Sequence, residues 1–198
     1  MRHLPFALAI GVWLLGFFIL RQTGSTLALQ AGAVGLAAWL MFRDTETRAL
    51  LEWRTGPFLT GLLAGAAMIA ATYVLYPIAL HAWPPLRSQV LSLESMLFEH
   101  KSRLAVVGVV LPTSICEEIL FRGQALESVK QRPGLSLGLA AILYAAAHAA
   151  SGSVALVLVA FACGIAWGWL RRATGSLWSS IACHAAWDLV VMAVKPLH

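Results

Sequence analysis

The feature that most constrains this chain is the length of its apolar blocks. They fall at roughly 4–20, 25–42, 57–80, 104–126, 134–150, 153–170 and 176–194, each about 17 residues or more, the length that crosses a bilayer core as a helix. None alternates with the period of a barrel strand, and in lipid each backbone amide and carbonyl must be satisfied within its own helix. The expected fold is therefore all-α: a polytopic transmembrane helical bundle of about seven helices, with an eighth possible inside 82–103. No second domain, internal repeat or low-complexity tract interrupts 1–198. Composition agrees, with 60% apolar and 12% charged residues, where a soluble domain carries about a quarter charged.

The net charge of +5 belongs to the membrane rather than to nucleic acid. The basic residues cluster in the connections, where orientation signals and anionic headgroups act on them, and no basic stripe with interleaved aromatics offers a grip on phosphates. With the N-terminus inside, the inner segments hold Arg2, Arg43, Arg48, Arg54, Lys130, Arg132, Arg171 and Arg172, and the outer ones Arg21, Arg87, Lys101, Arg103 and Lys195. This favours N-in and C-out. The basic start and apolar run at the N-terminus mimic a signal peptide, but the run is long, no A-x-A site follows, and more spans come after. It reads as the first transmembrane helix. Cys116, Cys163 and Cys183 lie inside spans as small apolar fillers, so no disulfide framework is expected.

Two connections are long. Residues 43–56 mix charges with Leu50, Leu51 and Trp53, like a brief interfacial helix. Residues 82–103 place Leu86, Val90, Leu93 and Leu97 opposite Arg87, Glu94 and Lys101, an amphipathic segment suited to the headgroup layer. It reads as a plain connector before it reads as a gate. Gly61-x-x-x-Gly65 and Gly164-x-x-x-Gly168 allow close helix approach, for internal packing first and a dimer second. Trp39, Trp53, Trp83, Trp169 and Trp178 lie near span ends, where an aromatic belt forms.

Charge inside a span needs a reason. In the fourth span Glu118 and Arg122 are four residues apart on one helix face and pair, while Glu117 points about 100° away and is left unpaired in a weakly polar cavity, the setting of a general base for water. His148 comes four residues after Tyr144, and His184 four before Asp188. At 1.5 Å per residue, Glu117, His148, His184 and Asp188 lie roughly 18, 21, 14 and 20 Å from the inner boundary. Three helices thus bring ionisable groups to a similar depth. Each is costly in a membrane unless it meets another, so the default is an interior functional site. Taken singly, a membrane histidine is a helix–helix hydrogen-bonding residue and a Glu–Arg pair is structural glue. Taken together, Glu117 and His148 suit water activation, and His184 with Asp188 suits an oxyanion. The same four are ordinary zinc ligands, although no H-E-x-x-H is present. Ser114 and Cys116 lie near Glu117, yet nothing in the sequence sets them beside a histidine.

These motifs resemble the CPBP family, the CAAX-protease and bacteriocin-processing intramembrane endopeptidases, also called ABI. E-E-x-x-x-R reads Glu117-Glu118-x-x-x-Arg122, aromatic-x-x-x-H reads Tyr144-x-x-x-His148, and H-x-x-x-N/D reads His184-x-x-x-Asp188. The likeness covers about 104–190, and 104–194 is expected to be the catalytic core. The resemblance implies a glutamic intramembrane protease. In it Glu117 and His148 activate water, His184 and Asp188 form the oxyanion hole, Glu118 and Arg122 with Tyr144 support the site, and no cofactor is needed, with zinc the alternative. Tyr144 stands where phenylalanine is common. Asp188 stands where prenyl-protein endopeptidases carry asparagine, so it is protonated, orients His184, or binds a cation. The implied partners are a membrane-anchored or lipidated protein or peptide and the bilayer, and the implied place is a bacterial inner membrane. Rival readings are a zinc protease on the same residues, a proton-coupled transporter and an inert immunity or scaffold protein.

Overall fold

The computed structural model describes residues 4–23, 27–98, 102–127 and 132–197. Arg2, Lys101 and Lys130, used in the orientation count, lie outside them. The chain folds as helices α1 (Leu4–Thr23), α2 (Leu27–Arg43), α3 (Thr45–Leu50), α4 (Thr55–Ala82), α5 (Leu86–Phe98), α6 (Arg103–Glu117), α7 (Pro133–His148), α8 (Val154–Thr174) and α9 (Leu177–Asp188). Among the described residues five helical segments are long and apolar enough to cross a membrane: Thr55–Ala82, Arg103–Ala125, Gly134–Ser151, Val154–Thr174 and Leu177–Val194. The protein is an all-helical membrane bundle. The two earliest expected spans are also helices, α1 and α2. At 13 residues, α5 is about 20 Å long, too short to cross, so among the described residues no eighth spanning helix forms there.

Local chemistry sets the helix ends. Ser102, Ser153 and Ser176 each accept a hydrogen bond from a backbone amide in the first turn of α6, α8 and α9, the usual way of satisfying an orphan donor. Gly175 closes α8 at φ +65°, a left-handed conformation in which only glycine meets no Cβ penalty.

The core is built around α6, α7, α8 and α9. The α1–α2 pair packs on α6 and α7, and α4 lies along α9. Glycines let these neighbours touch. A Cβ at Gly61 would fall 2.2 Å from the Ser179 carbonyl oxygen and one at Gly65 3.1 Å from that of Cys183, while Gly164 rests on Ala141. Both G-x-x-x-G pairs are therefore spent on internal packing. On the side expected to face inward, Gln124 bonds to Asp44 and Thr47, Glu127 pairs with Arg171 at 2.7 Å, and the Trp178 indole donates to the Leu51 carbonyl at 2.8 Å.

Leu86, Val90 and Leu93 of α5 line a cavity in the bundle, and Trp13 of α1 is fully buried in the core and reaches the site described next.

Candidate active site

Glu117 is the last residue of α6. Directly after it the helix widens to a π turn over Glu118–Ala125, and α9 does the same over Leu189–Val194, directly after Asp188. Such widenings gather at functional sites because they re-aim side chains without ending the helix. Here they bracket the two carboxylates that face each other across His184.

All four expected site residues meet, and all are buried. The His148 Nε2 lies 3.5 Å from Glu117 Oε1, and the His184 Nε2 lies 3.7 Å from Glu117 Oε2 and 3.1 Å from Asp188 Oδ2. His148 is held by its Nδ1, 2.8 Å from the Tyr144 carbonyl one turn earlier. The expected Glu118–Arg122 pair forms at 3.1 Å, and Glu118 also reaches His184 Nδ1 at 2.9 Å. Glu118 thus links the arginine to the histidine. The Arg122 guanidinium lies 4.3 Å above the Tyr144 ring and 5.2 Å from that of Trp167, so much of its charge is faced by aromatic π clouds.

Glu117 is not unpaired, contrary to expectation. The Trp13 indole donates to its Oε1 at 2.9 Å and the Tyr144 hydroxyl to its Oε2 at 2.5 Å. A carboxylate offers about four lone-pair positions, so two donors orient it and leave room for a water. Sequence reasoning also missed Ser114, whose hydroxyl donates to Asp188 Oδ2 at 2.7 Å, and Trp167, which stacks on His184 at 3.6 Å. A signal for two of the tryptophans was present. Trp13 and Trp187 lie well away from the expected span ends, whereas Trp167 is only three residues from the end of 153–170. In the structure Trp13 and Trp167 touch site residues, and Trp187 lines the cavity and donates to Thr72 at 2.8 Å.

The site forms part of the wall of a cavity of about 570 Å³ whose lining is mostly apolar, with Leu75, Val90, Val109, Val159 and Met192 among its residues. A zinc ion fits this arrangement poorly. Among the described residues no three His, Cys, Asp or Glu side chains converge to hold a metal. Both ring nitrogens of His184 already face carboxylate oxygens, whereas a ligating imidazole needs one nitrogen for the metal.

A membrane helical bundle that buries a carboxylate beside two imidazoles at the edge of an apolar cavity has the groups of a membrane-embedded enzyme. The comparison with family models narrows it. Residues 99–190, a little under half of the chain, match the model for type II CAAX prenyl endopeptidase Rce1-like, which is the CAAX-protease family that the motifs resemble and indicates a peptide-bond hydrolase. No curated protein and no solved structure matches the chain.

Proposed function

We propose that the protein is an intramembrane glutamic endopeptidase in which Glu117 and His148 activate water against a peptide bond of a membrane-anchored or lipidated protein. One observation carries the reading: the Glu117 carboxylate sits at the wall of an apolar cavity with imidazole nitrogens 3.5 and 3.7 Å away, oriented by Trp13 and Tyr144. Water bound between Glu117 and His148 gives a proton to Glu117 as its oxygen bonds to the carbonyl carbon. The carbonyl π electrons move onto oxygen, and the His184 Nε2–H, held toward Asp188 Oδ2 at 3.1 Å in the resting site, turns from that carboxylate to the developing charge. Collapse of the tetrahedral intermediate breaks the C–N bond, and the leaving amine takes the proton from Glu117.

Asp188 acts in this scheme as a positioning residue. The Ser114 hydroxyl and the His184 ring both point at its Oδ2, which offsets its charge and holds the ring, while Glu118 and Arg122 hold the other ring nitrogen. The apolar cavity suits the lipid anchor or the transmembrane segment of the substrate. The bias of Lys and Arg toward the inner segments supports an integral membrane protein with its N-terminus inside.

The test compares protein N- and C-termini in membranes from cells making the wild type or Glu117→Gln, which keeps size and removes the base. Defined products should vanish with Glu117→Gln, a rate loss of about 10²–10⁴. Unchanged termini, with both proteins inserted at equal levels, would move the transporter or scaffold reading ahead. With a substrate in hand, a zinc chelator should leave the rate unchanged, and a loss restored by zinc would overturn the metal-free mechanism.

A further inference from the structure

A second, smaller cavity of about 340 Å³ adjoins the first. It is lined by Ser88, Gln89 and Ser92 of α5 and by Ser151, Gly152 and Ser153 of the turn between α7 and α8. Gln89, Leu93 and Ser153 line both cavities, so the two meet at these side chains. The chemistry changes at that seam, from an apolar volume to a small chamber of hydroxyls and one amide.

We infer that this chamber receives the substrate main chain beyond the scissile bond, as an uncharged polypeptide that continues rather than as a free C-terminal carboxylate. The inference rests on the endopeptidase reading above. Three observations lead to it. The chamber offers both kinds of hydrogen-bonding group. The Gln89 carbonyl oxygen is used by the Ala155 amide at 2.9 Å and the Ser153 hydroxyl at 3.3 Å, which leaves the Gln89 amide as a donor. The Ser151 oxygen accepts from the Ser153 amide at 3.2 Å, leaving its O–H to donate, while the Ser88 hydroxyl donates to the Pro85 carbonyl at 2.8 Å and keeps its oxygen as an acceptor. A peptide main chain presents donors and acceptors alternately and needs such a mixture, whereas a carboxylate only accepts and pairs best with Arg or Lys. Among the described residues neither cavity is lined by Arg or Lys.

Distance supplies the third observation. Ser151 lies three residues after His148, along the tight turn Ala149–Ser151, roughly 6 Å at about 2.0 Å per residue. An extended chain covers that with about two residues at ~3.3 Å each. A substrate with its anchor in the apolar cavity and its scissile bond at Glu117 and His148 would therefore enter the chamber about two residues farther on. A chain ending in a carboxylate there would put its charge among serines.

Two probe peptides separate the possibilities, both built on S-geranylgeranyl-cysteine. One ends in a free carboxylate three residues after the cysteine, and the other continues as nine uncharged residues to a C-terminal amide, with a photo-cross-linking residue at its third position. With the full chain in liposomes, the extended peptide should cross-link Glu117→Gln protein within 88–93 or 151–153. The wild type should cleave it with a KM about tenfold below that of the carboxylate peptide, the equivalent of one or two hydrogen bonds. Ser92→Trp, at an exposed position of α5, should raise the KM of the extended peptide about tenfold at unchanged kcat and leave the short peptide alone. Cross-links elsewhere, or a preference for the free carboxylate, would overturn the inference. Cross-links at the chamber with no cleavage by the wild type would sink the endopeptidase reading and leave the chamber standing. With neither, both fall.

Discussion

Helices α4 and α9 lie side by side, equally recognisable as spans, and they are used in opposite ways. Of the most apolar 18 residues of Thr55–Ala82, 11% are buried inside the protein, against 61% for Leu177–Val194. Leu59, Leu63, Val74, Leu75 and Ile78 of α4 are exposed, which in lipid is no penalty. Ser179, Ser180, His184 and Asp188 of α9 are buried, because a polar group facing hydrocarbon is costly. In this bundle hydropathy says which segments cross, and the polar and small residues say which face looks inward. The closest α4 contact with α9 is made by two glycines laid against the α9 backbone, while Met68 and Thr72 of α4 reach the cavity wall.

The largest effect should come where the two helices touch. Gly61→Val places a Cβ within 2.2 Å of the Ser179 carbonyl oxygen and 2.9 Å of the Ala182 methyl. Overpacking costs about 1–3 kcal/mol when side chains can yield, and here the obstacle is backbone. The protein should be lost from membranes or show a thermal midpoint in detergent lower by many degrees. A stable Gly61→Val protein would mean that α4 does not pack on α9 as described.

A smaller effect is expected at the border between the two halves of the chain. Trp13→Phe keeps a ring beside Phe121, 6.0 Å away between ring centres, but removes the indole donor to Glu117. Cleavage should fall about tenfold, the size of one hydrogen bond to a charged group, with the thermal midpoint nearly unchanged. Full activity would confine the working site to the later helices and leave Trp13 of α1 as core packing.

The legibility of the molecule follows the same division. The spans at 57–80, 104–126, 134–150, 153–170 and 176–194 were readable because lipid forces long apolar helices, and the meeting of Glu117, His148, His184 and Asp188 because isolated charges at that depth are too costly. The contacts that were not readable depend on helix rotation. Ser114 and Asp188 meet only because α6 and α9 present those faces to each other, and no periodicity in either helix encodes that angle. Trp13 was hidden for a different reason: a tryptophan in the first span carries no motif, and only its distance from the span ends marked it. The π turns at Glu118 and Leu189 had no sequence signal, and they shift the register on which the 100° rule relies.

The smallest effect is the sharpest test of the comparison. Leu63 lies two residues after Gly61 on α4 and is 74% exposed, so its side chain points into lipid rather than protein. Burying a leucine in a protein core and then truncating it costs about 2–5 kcal/mol, but a lipid-facing leucine exchanges one hydrocarbon neighbour for another on truncation. Leu63→Ala should therefore leave both the thermal midpoint and the cleavage rate within error of the wild type. A drop of several degrees would show that this face of α4 is covered in the membrane, by a second copy or another protein. The contrast between α4 and α9 would then describe the isolated chain and not its working assembly.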